Sequence, residues 1–249
     1  MAGPFISLLS DFGARDPSAA ILHGVILGIE PDALLVDISH EVHKFAIRDG
    51  ALLLWCALPY LPVGFHVAVV DPGVGTARRP IAIRVVRGDV LIGPDNGLLT
   101  AAADRLGGVE GVRLLDAPEY RLPVISTSFH GRDIFAPAAA HLARGVAFEG
   151  LGPPIDPATL VASPIAAPTI EPGTLRSSIV YVDTFGSVKL AGLRPDLEAA
   201  IGPVRPGDEI ELTLDGRDIT VPWVAAFGAV AVGRLLLYED SYGRICLAE

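Results

Sequence analysis

At 249 residues the chain has room for one large domain or two modest ones, and can bury a core without disulfide or metal staples. Its 19 Lys and Arg against 29 Asp and Glu give a formal charge of −10, which argues against nucleic acid as a partner. The two cysteines, Cys56 and Cys246, sit in apolar contexts and read as core residues of a reducing compartment, so a cytoplasmic protein without a disulfide framework is expected.

In chain order, the N-terminal stretch has no basic n-region and meets Asp11 before any usable apolar core, so no signal peptide is expected. Phe5–Ser10 reads as a strand ending at Asp11. Pro17–Glu30 reads as a helix with Pro at its start and Ile21, Val25 and Ile29 spaced by four. Ala33–Ser39 is a second strand, residues 47–61 a second helix, residues 64–71 a third strand ending at Asp71, and residues 80–97 a hairpin around Gly88-Asp89. The apolar run 50–70 is broken by Pro59, Pro62 and Gly64, which excludes a spanning helix, and no membrane partner is expected. Strand–helix alternation with near-continuous apolar strands predicts an α/β domain over residues 1–152 with a mostly parallel central sheet.

Residues 153–172 contain six prolines and few charges, the composition of an extended linker. From 173 to 249 short alternating strands with Gly turns predict a smaller all-β, barrel-like domain, whose longest helical stretch is residues 194–202.

Ligands on parallel sheets gather at the carboxyl ends of strands, where Asp11 and Asp71 both fall. Asp11 is either a turn residue or a carboxylate able to accept two hydrogen bonds from a ribose diol. The Pro72–Gly75 turn lacks the remaining elements of either phosphate-binding fingerprint. Instead it holds Asp71 and can fold Arg78 back onto it, as a loop-closing salt bridge or as part of a site; Arg79 is assigned to structure. His130, near Arg132 and Asp133 and just before a helix with Pro137 in its first turn, is a proton-handling candidate. Asp95-Asn96-Gly97 reads as a turn. No Cys/His spacing or ligand cluster implies a metal.

Taken together, "SDFG", "VDISHEV", "VVDPGVGTARR", "IGPDNGLLT", "FHGRDIFAPAAAHLA" and "VDTFG" resemble, in order from Ser7 to about Ala248, the S-adenosyl-L-methionine hydrolases that form adenosine. These hydroxide adenosyltransferases are related to fluorinase and chlorinase. The resemblance implies attack of an activated water on ribose C5′ of S-adenosyl-L-methionine, which is the substrate, with no cofactor. It implies a homotrimer binding the nucleoside between the larger domain of one subunit and the β domain of the next. It also implies a catalytic Asp71, Arg78 and His130. Asp11 would take the ribose hydroxyls, Phe45 and Phe129 would wall the nucleoside, and Gly131 stands where fluorinase has serine. Asp183 would hold the methionine ammonium, with Phe185 beside it and Ser241 near the carboxylate. Ser187 replaces the family's usual asparagine, Tyr242 stands where fluorinase has an arginine, and the sequence ends at Glu249, before the adenine-reading tail of relatives. Those departures leave two alternatives, a halide adenosyltransferase and a non-catalytic adenosyl-ligand binder.

Overall fold

A computed structural model describes residues 3–249, which divide into two compact units, one up to Pro164 and one from Ile165 to Glu249. In the first unit the elements are β1 (Phe5–Ser10), α1 (Ser18–Ile29), β2 (Leu34–Ser39), α2 (Ile47–Ala57), β3 (Phe65–Val69), β4 (Pro80–Val85), β5 (Val90–Pro94), α3 (Thr100–Arg105), β6 (Val109–Leu114) and α4 (Ala136–Ala143). They form one six-stranded sheet in the order β2-β1-β3-β5-β4-β6. The first four of these strands run parallel, and β4 is antiparallel to both neighbours. The parallel-rich α/β sheet expected from the sequence is therefore present, with β4 of the 80–97 hairpin running against its neighbours.

Side-chain alternation along the central strands builds a layer on each face. Ile6, Leu8, Val67 and Val69 point into the cluster formed with Leu22 and Ile26 of α1 and Ala136, Ala139 and Ala140 of α4. Leu9 and Val70 meet α2 at Gly50 on the other face. Strand β5 is buried throughout, which explains its unbroken apolar sequence. Helix α2 stops at Ala57, and Pro59 converts the next turn to a short 3₁₀ segment, Leu58–Tyr60. Among the described residues no helix is long and apolar enough to cross a membrane.

Two elements went unread in the sequence, α3 and β6; the latter carries Gly111 and the charged Glu110 and Arg113. The proline-rich stretch is tied down over its first part. Leu114 N–H donates to Pro153 O at 3.0 Å, Ile155 N–H to Val112 O at 3.1 Å, and Arg79 reaches Thr159.

In the second unit β7 (Thr169–Glu171) pairs with β8 (Thr174–Arg176), and β9 (Ile179–Val182), β10 (Val188–Leu193), β13 (Leu236–Glu239) and β14 (Arg244–Ala248) form a four-stranded sheet. A β11 (Glu209–Leu214) and β12 (Arg217–Pro222) hairpin completes it, with α5 (Arg194–Ile201) as its helix. All paired strands here are antiparallel, in three sheets, and a bridge from Trp223 to Leu237 joins the β11–β12 hairpin to the four-stranded sheet. Leu197, Ile210, Val221, Trp223, Leu237 and Ile245 make its own core. Cys56 and Cys246 are both buried and outside any disulfide, and burial pushes the Cys246 thiol up to about 12.

Candidate active site

Strands β1 and β3 are paired so that Ser10 lies opposite Val69, which brings Asp11 and Asp71 to the same sheet edge. After Asp71 the chain turns tightly: Val74 N–H donates to Asp71 O and Thr76 N–H to Gly73 O, both at 3.2 Å. Gly75 adopts φ +76°, and an ideal Cβ there would lie 2.3 Å from the carbonyl oxygen of Thr127. Only glycine allows this turn to press against the segment that leads into His130.

The turn returns Arg78 over Asp71. Its Nε donates to Asp71 Oδ1 at 3.1 Å and its Nη2 donates to Asp71 Oδ2, a bidentate pair. Both side chains are almost fully buried. The same Nη2 lies 3.0 Å from His130 Nδ1, so one guanidinium joins the three residues. Phe135 lies beneath it, 5.3 Å from ring centroid to Arg78 Cζ.

An arginine is always charged and only donates. His130 Nδ1 must therefore accept, and the neutral ring carries its proton on Nε2. Burial, then the Arg78 charge, hold the His130 imidazole below its ordinary value, against weaker opposing pulls from Asp71 and Asp133. The ring stays neutral near pH 7. Arg78 Nη1 is buried without a hydrogen-bond partner, a donor left over beside the pair.

His130 is held from behind. The residues after it, Gly131–Phe135, form one π-helical turn before α4 begins, a distortion common at functional sites. Pro137 lies in the first turn of α4, where its missing N–H costs nothing. Asp133 accepts Ser126 N–H at 2.8 Å and Arg132 Nε at 2.6 Å, pinning the incoming loop.

A cavity of about 360 Å³ opens beside this set. Asp11, Phe45, Asp71, Phe129, His130 and Gly131 all line it, whereas Arg78 stands behind them. Phe12, Lys44 and Ser128 also line it and were not singled out in the sequence. Lys44 Nζ donates to Asp11 O, and Phe45 N–H donates to Asp11 Oδ2 at 2.8 Å. Phe45 pays for that bond with φ +65°, rare for a non-glycine residue and typical of strain kept at functional sites. Its ring is 68% exposed, an unshielded aromatic wall at the cavity mouth. Arg79 is structural: it pairs with Asp95 and donates to Thr159 Oγ1 at 3.0 Å.

The remaining candidates sit in the second unit. Asp183 Oδ1 accepts the N–H groups of Phe185 and Ser187, each at 3.0 Å, so the 183–187 turn is built around that carboxylate. Phe185 projects outward, 93% exposed, while Ser187 is buried. Ser241 and Tyr242 occupy the β13–β14 turn, where Tyr242 N–H donates to Asp240 Oδ1 at 2.9 Å. Lys189, also missed in the sequence, links the two turns: its Nζ is 2.8 Å from Asp240 Oδ2 and 3.6 Å from Asp183 Oδ2. Burial works most strongly against its charge, but the bond to Asp240 and the neighbouring Cys246, Asp240 and Tyr238 together raise its pKa.

A second serine–histidine–aspartate chain resembles a hydrolytic triad but is sealed. Ser7 Oγ lies 2.7 Å from His66 Nδ1, and His66 Nε2 lies 2.9 Å from Asp89 Oδ1. All three are at most 1% exposed, so no substrate reaches them and they serve the core.

Residues 6–152 match the SAM hydroxide adenosyltransferase N-terminal domain, and residues 177–248 match the C-terminal domain of the same family. The chain is 41% identical over 245 residues to an (R)-S-adenosyl-L-methionine hydrolase of Salinispora tropica, covering 98% of this chain and 90% of that one. It is 39% identical to an (R)-S-adenosyl-L-methionine hydrolase of Thermus thermophilus, covering 98% and 91%. A fluorinase of an Actinoplanes species is 28% identical, covering 99% and 91%. Among solved structures, a conserved protein of Thermotoga maritima superposes with a TM-score of 0.90 at 32% identity, covering 98% of this chain and 91% of that one.

Proposed function

The chain belongs to the SAM hydroxide adenosyltransferase family, and from that premise we propose that Asp71, Arg78 and His130 activate a water for attack on ribose C5′ of S-adenosyl-L-methionine. The protein is a hydrolase that converts S-adenosyl-L-methionine to adenosine and L-methionine. The observation that carries the residue assignment is the single guanidinium that joins Asp71 to His130 at the edge of the cavity.

The departing group is already a sulfonium, so no acid is needed at sulfur. The difficulty lies in holding a weak nucleophile in line with C5′ and stripping it of competing water. The water oxygen forms the new bond to C5′ while the C5′–S bond breaks and its electron pair stays on methionine. The water proton goes to Asp71, whose two oxygens retain lone pairs beyond those engaged by Arg78. His130 orients the water through Nε2–H, because its other nitrogen is already occupied by Arg78. Arg78 acts from behind as the positioning group and offsets the charge that gathers as the water ionises. Asp11 takes the ribose hydroxyls, with Phe45 and Phe129 as walls. Asp183 takes the methionine ammonium, with Phe185, Ser187, Ser241 and Tyr242 around the amino-acid end.

Water fits this cavity better than a halide does. The Asp71 carboxylate on its lining repels an anion, and Asp71 and His130 keep the pocket polar where halide binding needs a dry one. The working form is a homotrimer in the cytoplasm, with each substrate held by the larger domain of one subunit and the β domain of its neighbour. The buried thiols of Cys56 and Cys246, neither in a disulfide, support the reducing compartment. Incubation with S-adenosyl-L-methionine, with adenosine and methionine followed by chromatography, tests the reading. Equal amounts of both are expected from the native chain, and at least 10²-fold less from Asp71→Asn. Undiminished turnover by Asp71→Asn would overturn the assignment.

A further inference from the structure

The sequence spacings implied no metal site, yet among the described residues the fold assembles one set of ligands outside the active cavity. Helix α1 packs beside the edge strand β2 and brings His23 to Asp37, while His40 follows the end of the same strand. One ligand atom from each of the three lies within 4.8 Å of the others. His23 Nε2 is 2.7 Å and His40 Nε2 is 3.1 Å from the same oxygen, Asp37 Oδ1.

We propose that His23, Asp37 and His40 form a binding site for a divalent transition-metal ion of the Zn²⁺ class. Two imidazole nitrogens and one carboxylate oxygen are a ligand set that suits such ions, with a fourth position left for water.

His40 supplies an observation independent of the clustering. Its side chain is only 8% exposed, and its Nε2 is buried and aimed at Asp37, but too far off line to make a hydrogen bond. The opposite nitrogen, Nδ1, lies 2.7 Å from Ser10 Oγ, and Gly13 N–H donates to His40 O at 2.6 Å. The ring is thus fixed by a partner on the far side, the arrangement that sets the tautomer of metal-ligating histidines. With the proton on Nδ1 and donated to Ser10, the Nε2 lone pair faces a carboxylate oxygen at 3.1 Å. In that tautomer two acceptors meet, a contact that a bound cation would relieve. His23 and Asp37 are 31% and 41% exposed, so they retain the freedom to close on an ion arriving from solvent. Ser10 immediately precedes Asp11, which places the site directly behind the strand end that carries the ribose carboxylate.

The test is a titration of the metal-stripped full chain with Co²⁺ and Zn²⁺, read by the visible absorption of bound Co²⁺ and by Zn²⁺ competition against a chromophoric chelator. One equivalent is expected, with an absorption of low-symmetry nitrogen and oxygen coordination. His23→Ala and Asp37→Ala should each weaken binding at least tenfold. His43→Ala, whose exposed ring pairs instead with Asp49, should not. Circular dichroism and thermal melting check that each variant is folded. No stoichiometric binding by the native chain, or equal affinity in a folded His23→Ala, would overturn the proposal. The first result would leave a hydrogen-bonded cluster, and the second would place the ion elsewhere.

Discussion

Replacing Gly75 by alanine should disable the active site while leaving most of the molecule folded. The added Cβ would sit 2.3 Å from Thr127 O, whereas real Cβ contacts seldom fall below 3.4 Å. The turn and the 127–130 segment must then part by about 1 Å, the difference of those distances. The left-handed backbone at φ +76° adds a further ~1 kcal/mol for any residue with a side chain. Together these predict a stability loss of about 1–3 kcal/mol. The catalytic cost is larger, because the 1 Å shift moves Asp71 and Arg78 away from His130. Such a displacement lowers kcat by about 10²-fold. Gly73→Ala is the control, since its nearest neighbour would be Thr76 Oγ1 at an ordinary 3.5 Å and its φ is not positive. Urea unfolding gives the stability change and steady-state adenosine formation gives kcat. If folded Gly75→Ala retains kcat within about twofold of Gly73→Ala, contact between the two loops is not what assembles the set.

The depressed pKa of His130 sets the pH response. Its folded state binds fewer protons than the unfolded chain, so the contribution to stability is complete above the ordinary value of about 6.5 and is lost as pH falls below it. Activity should hold level from neutrality down past pH 6.5 and decline only at lower pH. In Arg78→Gln the inflection should move upward, because the Arg78 charge, after burial, is what holds it down. An inflection at or above pH 6.5 in the native chain, traced to His130 by its absence in His130→Gln, would refute this. Asp11→Asn should raise KM by about tenfold or more through weakened diol binding, with a smaller change in kcat, as measured by initial rates. Ser7→Ala should lower stability by about 1–3 kcal/mol, read by denaturant melts, without changing kcat, since the sealed His66 loses one of its two partners.

Much of the site was legible because parallel sheets present residues in a regular way. Apolar runs that stop at a carboxylate marked Asp11 and Asp71 as strand-end residues, and the parallel register places them together. The fate of Arg78 was open from spacing alone, since a seven-residue return admits both a loop clamp and a site. In the fold it closes the loop on Asp71 and also reaches His130. Lys44 and Lys189 were missed because their roles depend on loops meeting across the sheet edge, which carries no sequence period. Adjacency to Phe45 and to the 183–187 turn was the only signal for them. Helix α3 is too short, and β6 too charged, to show a clear period. The His23–Asp37–His40 cluster joins a helix to its neighbouring strand across 14 residues, a spacing typical of no metal motif.

The central claim, that water activated beside Asp71 and His130 attacks C5′, is tested most directly by turnover of S-adenosyl-L-methionine in oxygen-18 water containing chloride, followed by mass spectrometry of the nucleoside. The account predicts adenosine carrying the heavy oxygen at C5′ and no chlorinated product, with incorporation lost in step with rate in Asp71→Asn. Adenosine without the label, or a 5′-chloro nucleoside as the main product, would contradict it.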